Sequence, residues 1–258
     1  MRERDYYGDP ERYEAEYGFY TIDLSWYRNR LLQLGGPALV LGCGTGRVLF
    51  SLAAAGISAD GIDGSPGMLD RARSRAVEMG AEIAGRVNLF EADIRSFSLD
   101  SRYRVILAPF NLLMHLHEDE EVLECLDCVA NHLEDDGIFL LDVTNPRPEL
   151  LVRHGPPGVP LRDIRWRGVT YLQTEQHEYD QATKISQTTF IYEPRTKDAQ
   201  PFVCRLRLRM YSPDDIDCLL QRAGFEIRPK LGSFTGEPFC QESPIQIIEA
   251  TTRRGRRS

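Results

Sequence analysis

Three glycines stand at alternate positions directly after an apolar run near the start of the chain. The run is ALVL at residues 38–41, and Gly42, Gly44 and Gly46 follow it in the order G-x-G-x-G. Glycine reaches backbone angles that other residues avoid, and it has no Cβ to obstruct a ligand. A dinucleotide-binding turn places its third glycine one residue later. The spacing therefore predicts a ligand at this turn and disfavours a nicotinamide-dependent oxidoreductase.

Two carboxylates follow the next two predicted strands. Asp63 ends the segment ISADGID, about 20 residues after the glycines, and Asp93 ends the segment RVNLFEAD. A carboxylate at the first position can accept both hydroxyls of a ribose. The second can accept a hydrogen bond from an adenine amino group. Each aspartate alone has a second interpretation as a helix cap, but with the glycines they predict an adenosyl pocket that needs no phosphate-binding group.

Strands that alternate with helices must position these residues. Apolar runs of strand length at 37–42, 57–63, 86–93, 103–110 and 138–144 are separated by stretches of helical periodicity. Ser65 and Pro66 predict one helix start, and the helix in EDEEVLECLDCVANHLEDDG is expected to end at Gly137. This alternation predicts an α/β fold, in which helices cover both faces of a mostly parallel sheet.

The pattern changes on either side of this core. Residues 5–34 carry aromatic and acidic residues at helical spacing, residues 151–162 predict a loop, and residues 164–211 alternate with period two, as in an antiparallel meander. A helix and strands then return to the core sheet. We predict an N-terminal helical cap at 1–36, a cofactor-binding core at 37–150, an inserted β meander or lid at 151–211, and the rest of the core with a basic tail at 212–258.

The composition limits the function classes. The chain has 258 residues and a net charge of −8, which argues against a general nucleic-acid-binding protein. The apolar runs are all shorter than a bilayer span, and the charged first residues lack a signal-peptide pattern, so we expect a cytoplasmic protein without a membrane partner. The basic residues of TTRRGRRS are expected to form a frayed tail rather than a nucleic-acid arm.

Two of the six cysteines form a C-x-x-C pair. Cys125 and Cys128 lie in a predicted helix, with His132 one turn further on. A zinc site would need a second pair of ligands at suitable spacing. We therefore expect reduced thiols and no metal.

Five motifs occur in order between residues 40 and 143: VLGCGTGRV, GIDGSPGMLDRAR, EADIRSF, APFNLLMHL and DDGIFLLDV. In combination they resemble the successive motifs of class I S-adenosylmethionine-dependent methyltransferases, and the resemblance covers about residues 5–250. The meander and the ending GSFTGEPFCQESPIQIIEA resemble small-molecule members, such as sugar N-methyltransferases and relatives of glycine N-methyltransferase. The resemblance implies a Rossmann-like sheet of seven strands, the last of them antiparallel, and S-adenosyl-L-methionine as the cofactor.

The resemblance also implies roles for individual residues. The three glycines would border the methionine part of the cofactor, Asp63 would bind the ribose and Asp93 the adenine. The predicted cofactor-binding residues are Gly42, Cys43, Gly44, Gly46, Asp63, Gly64, Met68, Asp93, Ile94, Pro109, Phe110, Tyr7 and Tyr20.

Two positions depart from the family's pattern. Val40 stands where the family commonly has an acidic residue that helps to hold the methionine amino group. Gly64 stands where an apolar residue normally covers the adenine, while Met68 occupies the position that usually packs against it. Either another group replaces the missing carboxylate or cofactor binding is weaker.

The acceptor side is predicted to follow the fourth strand of the core. Methyl transfer is an in-line displacement that mostly requires alignment and exclusion of water, and only an oxygen acceptor needs a base. Phe110 and Asn111 should lie beside the methyl group, and His115 shares a face with Asn111 if the segment is helical. Asn111 and His115 are the predicted catalytic and acceptor-binding residues. For His115 a packed histidine bonded to the backbone is the alternative.

Two further groups are candidates on the substrate side. Tyr7 and Tyr20 are expected to face the ligand from a leading segment that closes the pocket. In FVCRLRLRMY the arginines share one face of a strand, and that face either pairs with Glu175 and Glu178 or meets an anionic acceptor. The second case makes Arg207 a predicted substrate-binding residue.

These inferences predict a methyltransferase that acts on nitrogen or oxygen of a small-molecule acceptor. A non-catalytic homologue that binds S-adenosylmethionine or S-adenosylhomocysteine is the alternative, since Val40 replaces an acidic residue. The sequence leaves open the identity of the acceptor and whether the meander mediates a homodimer.

Overall fold

The computed structural model describes residues 1–152, 154–155 and 158–252, and the predicted basic tail from residue 253 lies outside them. The chain forms two compact units. Thr21–Asn145 and the described residues from Tyr211 onward form the core unit, and Met1–Tyr20 with Pro146–Met210 form the meander unit.

The core unit is built on a seven-stranded sheet. Its strands are β2 (Ala38–Leu41), β3 (Ala59–Asp63), β4 (Val87–Glu91), β5 (Tyr103–Ala108), β6 (Leu133–Thr144), β11 (Phe225–Ile227) and β12 (Ile245–Thr252). Their order is β11-β12-β6-β5-β2-β3-β4. The five from β6 to β4 run parallel, and β12 pairs antiparallel with both β6 and β11. This confirms the predicted mostly parallel sheet with an antiparallel last strand.

Helices precede and connect the strands of this sheet. They are α2 (Ile22–Leu34), α3 (Arg47–Ala54), α4 (Pro66–Met79), α5 (Ala81–Ala84), α6 (Asp119–His132) and α7 (Pro213–Arg222), with a 3₁₀ helix at Leu112–His115. Ser65 caps α4 and Pro66 follows it, as predicted, and Ser212 with Pro213 begins α7 in the same way. All four residues of β2 are buried, and Ala38 and Val40 pack in a hydrophobic core of this unit.

The meander unit is built on a five-stranded sheet. Its strands are β1 (Arg2–Arg4), β7 (Val159–Trp166), β8 (Val169–Asp180), β9 (Ile185–Pro194) and β10 (Phe202–Arg209), in the order β1-β10-β9-β8-β7. Strands β7 to β10 pair antiparallel, which confirms the predicted meander. Helix α1 (Pro10–Tyr17) and a 3₁₀ helix at Pro148–Leu150 complete the elements of this unit.

Three element boundaries differ from the predictions. Helix α6 ends at His132 and not at Gly137, because Leu133 is extended and pairs with Tyr103 as the first residue of β6. The predicted loop at 151–162 ends in strand β7, which begins at Val159 because an edge strand tolerates the proline that follows. The N-terminal helical region divides into α1 and α2, and β1 precedes them.

In the described part of the chain, no helix combines the length and apolar character that crossing a membrane requires.

Candidate functional site

The glycine turn after β2 has two glycines that packing requires and one that faces open space. Gly42, Gly44 and Gly46 have φ of 54°, 56° and 85°, the left-handed region that favours glycine. A Cβ on Gly42 would lie 2.4 Å from Leu112, and one on Gly46 would lie 2.2 Å from Phe50. A Cβ on Gly44 would meet no atom within 4 Å. The main chain at Gly44 is therefore open to a ligand.

The carboxylate of Asp63 lies against this turn. Its Oδ2 accepts a hydrogen bond of 2.8 Å from the Gly44 N–H, and its Oδ1 accepts one of 2.8 Å from the Ser65 N–H. Burial raises the pKa of Asp63, while these two backbone bonds oppose the rise. Because a carboxylate oxygen has more than one acceptor site, both oxygens can still accept ribose hydroxyls. These carboxylate oxygens accept hydrogen bonds and repel a phosphate, so they fit a nucleoside that carries no phosphate.

The adenine-side residues lie beyond β3 and β4. Met68 is buried in α4, whereas Gly64 is exposed and Ile94 is half-buried. Asp93 is exposed and accepts hydrogen bonds from Arg95, with 2.6 Å from Nη2 to Oδ2. These bonds hold the pKa of Asp93 below its usual value. Arg95 thus favours the charged form of Asp93 at the strand edge. Sequence analysis did not identify this arginine.

The turn after β5 holds two residues in left-handed conformations. Phe110 has φ of 59° and Asn111 has φ of 64°, conformations that are uncommon for residues other than glycine. The Phe110 N–H donates to Oδ1 of Asp142 at 2.8 Å, and the Asn111 N–H donates to Oδ2 at 3.2 Å. The side-chain carbonyl of Asn111 accepts from the N–H of Thr144 at 2.7 Å and from its hydroxyl at 3.1 Å. The side-chain NH₂ of Asn111 is thus the group that can meet a ligand.

Asp142 is a buried charge that sequence analysis missed. It lies in β6 and accepts a third hydrogen bond, from the hydroxyl of Tyr27. Burial raises the pKa of Asp142 to about 6, although the three donors act in the opposite direction. An acidic residue within the apolar stretch IFLLDVT was the signal that could have identified it, since carboxylates are rarely fully buried without partners.

His115 lies at the end of the 3₁₀ helix. A 3₁₀ helix has three residues per turn, and Asn111 precedes its first residue. The segment is therefore not α-helical, and the condition under which Asn111 and His115 would share a face is not met. Burial, with a smaller effect of His117, lowers the pKa of His115 to about 4. The imidazole is neutral at pH 7.

On the other side of the glycine turn, Arg47 binds a buried carboxylate. Arg47 is the first residue of α3, and its Nη1 and Nη2 each lie 2.7 Å from an oxygen of Asp23 in α2. The Arg47 guanidinium also lies over the ring of Phe110, 4.8 Å from its centroid. Sequence analysis identified neither charged residue, because 24 positions separate them.

The remaining cofactor candidates of the core unit flank these groups. Cys43 is buried and donates from its N–H to the carbonyl of Ile62 at 2.9 Å, and Pro109 is buried before the left-handed turn. The structure thus brings Gly42, Cys43, Gly44, Gly46, Asp63, Gly64, Met68, Asp93, Ile94, Pro109, Phe110, Asn111 and His115 to or near the carboxyl edge of the parallel strands.

Tyr7, Tyr20 and Arg207 belong to the meander unit. The ring of Tyr7 packs edge-on against Tyr6 with 5.0 Å between centroids, and the Tyr20 N–H donates to the carbonyl of Tyr17 at 2.9 Å. The ligand-binding roles of Tyr7 and Tyr20 stay predictions.

Two arginines on the same face of β10 have different surroundings. Arg205 forms an ion pair with Glu3 of β1, and the charge of Glu178 also acts on it. Arg207 is exposed and lines an open cavity of about 650 Å³ in the meander unit. His154 and Glu178 line the same cavity.

The side chains of the C-x-x-C segment are buried or lie against backbone groups. Cys125 is buried, and the sulfur of Cys128 lies 3.3 Å from a backbone carbonyl. Nε2 of His132 accepts from the Leu99 N–H at 2.9 Å, and its Nδ1 lies 2.7 Å from the carbonyl of Cys128. Among the residues described, no three His, Cys, Asp or Glu side chains are grouped to hold a metal ion.

Residues 38–137 match the sequence model of a family described as a methyltransferase domain. The chain is 27% identical over 230 residues to the cypemycin N-terminal methyltransferase of a Streptomyces species, covering 87% of this chain and 86% of that protein.

Solved structures show the same fold. The CcbJ methyltransferase of Streptomyces caelestis matches with a TM-score of 0.76 and 23% identity, over 90% of this chain and 95% of that one. CalS10, an amino pentose methyltransferase of Micromonospora echinaspora with bound S-adenosylmethionine, matches with a TM-score of 0.70 and 20% identity, over 93% and 94% of the two chains.

Proposed function

We propose that this chain, a class I S-adenosylmethionine-dependent methyltransferase, transfers the methyl group to an amine of a small-molecule acceptor. When bound, the cofactor supplies an electrophilic methyl group on a sulfonium. The observation that carries the proposal is the pairing of the open main chain at Gly44 with the carboxylate of Asp63, 2.8 Å away.

The residues of the core unit would hold the cofactor along the sheet edge. Asp63 accepts the ribose hydroxyls, Asp93 accepts the adenine amino group, and Met68 packs against the base. Gly44 allows the close approach of the chain that joins the nucleoside to the sulfur. Phe110 covers the methyl end, and its apolar ring helps to exclude water.

An amine acceptor suits the titratable groups near the site. In the displacement, the acceptor nitrogen forms a bond to the methyl carbon, the carbon–sulfur bond breaks, and the nitrogen afterwards releases a proton to solvent. A neutral amine needs no base for this step, whereas a hydroxyl does. His115, with a pKa of about 4, is a weak base, and Asp142 already accepts three hydrogen bonds. His115 orients the amine by accepting one of its N–H hydrogens.

The relatives are consistent with this choice. The cypemycin enzyme is named for methylation of an N-terminus, and CalS10 is named for an amino pentose. The net charge of −8 favours a small acceptor over a nucleic acid. The cavity of the meander unit has the volume of a small-molecule site, but Glu178 and Asp180 line it together with Arg207, so its charge alone does not select an anionic acceptor.

Turnover with paired acceptors tests the proposal. Each pair consists of an amino sugar, or a short peptide with a free N-terminus, and the analogue in which a hydroxyl replaces the amine. Methyl transfer from labelled S-adenosylmethionine is expected to the amine member alone. Transfer to the hydroxyl member alone would contradict N-methylation, and binding of S-adenosylhomocysteine without any transfer across a broad metabolite panel would favour a non-catalytic homologue.

A further inference from the structure

We infer that Asp142 is a positioning residue for methyl transfer: held by Tyr27, its carboxylate fixes the turn of Phe110 and Asn111 beside the transferred methyl group. The inference rests on the proposed function, because the step that it affects is the transfer itself. It assigns a role in the reaction to two buried side chains that act through other residues.

The register of the sheet places Asp142 beside this turn. Ala108, the last residue of β5, pairs with Leu141 of β6, so Asp142 is the first residue of β6 beyond the end of β5. The N–H groups of Phe110 and Asn111 donate to its two oxygens, at 2.8 Å to Oδ1 and 3.2 Å to Oδ2. Each carboxylate oxygen thus accepts one of two consecutive backbone N–H groups.

The conformation of the turn requires support of this kind. Phe110 and Asn111 have φ of 59° and 64°, and left-handed backbone is unfavourable for residues that carry a Cβ. Such conformations persist only where the surrounding structure imposes them. Hydrogen bonds to a charged acceptor are stronger than those between neutral groups. The Asp142 carboxylate therefore decides whether the turn keeps this conformation.

Strand β6 also fixes the side chain of Asn111. Thr144 lies two residues after Asp142 and therefore on the same face of the strand. Its N–H and hydroxyl donate to the side-chain carbonyl of Asn111 at 2.7 and 3.1 Å. Both the backbone and the side-chain carbonyl of Asn111 are thus bound to β6. A change in the turn would displace the side-chain NH₂ of Asn111 and the ring of Phe110 together.

Tyr27 completes the surroundings of Asp142. It is fully buried in α2, and its hydroxyl donates to Oδ1 of Asp142. Burial raises the pKa of Asp142 to about 6, and the charge of Asp23, one helical turn before Tyr27, adds to the rise. The charge of Arg47 in α3 acts on Tyr27. Asp142 is therefore ionised at pH 7, and its protonation at lower pH converts an acceptor oxygen into a donor.

A purely structural role, in which Asp142 and Tyr27 only join β6 to α2, is the competing explanation. A second tyrosine–aspartate pair of the core unit separates the two explanations. Tyr103 is buried at the start of β5, and its hydroxyl donates at 2.8 Å to Asp60, the second residue of β3. This pair lies at the amino end of the parallel strands, away from the site. Loss of either hydroxyl should lower stability, but only the loss at Tyr27 should slow methyl transfer.

The kinetic test measures kcat at saturating acceptor and neutral pH, with the amino sugar or peptide that the wild type methylates. Asp142→Asn retains one acceptor oxygen and is expected to lower kcat about 10–100-fold, and Tyr27→Phe is expected to lower it about 3–10-fold. Calorimetry should show unchanged affinity for S-adenosylhomocysteine, because the nucleoside binds beside β3 and β4. Tyr103→Phe, the matched control, should change neither quantity.

A double-mutant cycle tests whether Asp142 acts through the turn. Glycine adopts left-handed backbone without support. Asp142→Asn should therefore lower kcat by a smaller factor in an Asn111→Gly background than in the wild type, although Asn111→Gly is itself less active. Equal factors in the two backgrounds would contradict an action through this backbone.

Nuclear magnetic resonance tests the same contact without an acceptor. In ¹⁵N-labelled wild type, the amide resonances of Phe110 and Asn111 are expected to titrate with a midpoint near pH 6, and in Asp142→Asn they should not. Tyr27→Phe should move the midpoint upward, because the lost hydrogen bond lowers the pKa of Asp142. If Asp142→Asn fails to fold, the titrations of the wild type and of Tyr27→Phe still decide.

An active wild type whose kcat is unchanged by Asp142→Asn would overturn this inference alone. Equal losses of kcat in Tyr27→Phe and Tyr103→Phe would do the same, and so would wild-type amide resonances of Phe110 and Asn111 that do not titrate. A wild type that binds S-adenosylhomocysteine but methylates no acceptor would overturn the proposed function, and this inference with it.

Discussion

The backbone N–H of Gly44 donates a hydrogen bond of 2.8 Å to Oδ2 of Asp63, which joins the turn after β2 to the carboxylate at the end of β3. The Gly44 main chain thus has a carboxylate on one side and open space where a side chain would be. The glycine turn and the Asp63 carboxylate together therefore form a surface that a ligand can contact.

Gly44→Ala is expected to weaken S-adenosylhomocysteine at least tenfold, because the new Cβ enters the space left for the ligand. The left-handed backbone costs alanine about 1–2 kcal/mol of stability. Gly56→Ala is the matched control, since Gly56 has φ of 84° and a Cβ there also meets nothing within 4 Å. Calorimetry and urea unfolding should show similar stability losses but a binding loss in Gly44→Ala alone; wild-type affinity in that variant would contradict the site.

Asp142→Asn is expected to remove a pH dependence of stability. The unfolded carboxyl titrates near 3.8 and the folded one near 6, because Asp142 is buried. As pH rises between these values, the unfolded state releases its proton first, so the wild type loses stability. The change is about 3 kcal/mol, from about 1.4 kcal/mol per pKa unit.

Urea unfolding at pH 4 and pH 7 measures this effect as a difference between wild type and Asp142→Asn. Relative to that of the wild type, the free energy of unfolding of the variant should be higher at pH 7 than at pH 4. Tyr27→Phe removes a hydrogen bond that lowers the pKa of Asp142, so it should extend the pH-dependent range upward. A stability difference that is independent of pH would show that Asp142 does not titrate in this range.

His115→Ala is expected to lower kcat/KM for an amine acceptor about 5–10-fold, the effect of one neutral hydrogen bond. The factor should be the same from pH 5.5 to 8.5, because the pKa of His115 is about 4 and the imidazole stays neutral. His117→Ala, a change two residues away, should retain activity. A wild-type inflection near pH 6.5 that His115→Ala abolishes would contradict this role.

Arg207→Ala is expected to raise the KM of a carboxylate-bearing acceptor about tenfold or more, since Arg207 lines the cavity of the meander unit. The KM for S-adenosylmethionine should not change. Arg205→Ala serves as the control, because Arg205 lies two residues away on the same strand and pairs with Glu3. Steady-state kinetics that show equal effects of both substitutions would remove Arg207 from the acceptor site.

Much of the core fold was predictable because its signals are local. The apolar residues of β2, the serine caps of α4 and α7 and the alternation in β8 to β10 depend on neighbours a few positions away. The end of α6 was predicted wrongly because Leu133 leaves the helix to pair with Tyr103, 30 residues earlier. Helical periodicity carries no information about such a pairing.

By itself, the sequence determined the glycine turn, the two strand-end carboxylates and their order along the chain, because these follow from residue type and spacing. Only the tertiary structure decided which charges lie beside them. Asp142 approaches Tyr27 across 115 positions, and Asp23 approaches Arg47 across 24. Buried charges are stable only with partners that satisfy them, and the packing of distant elements selects those partners.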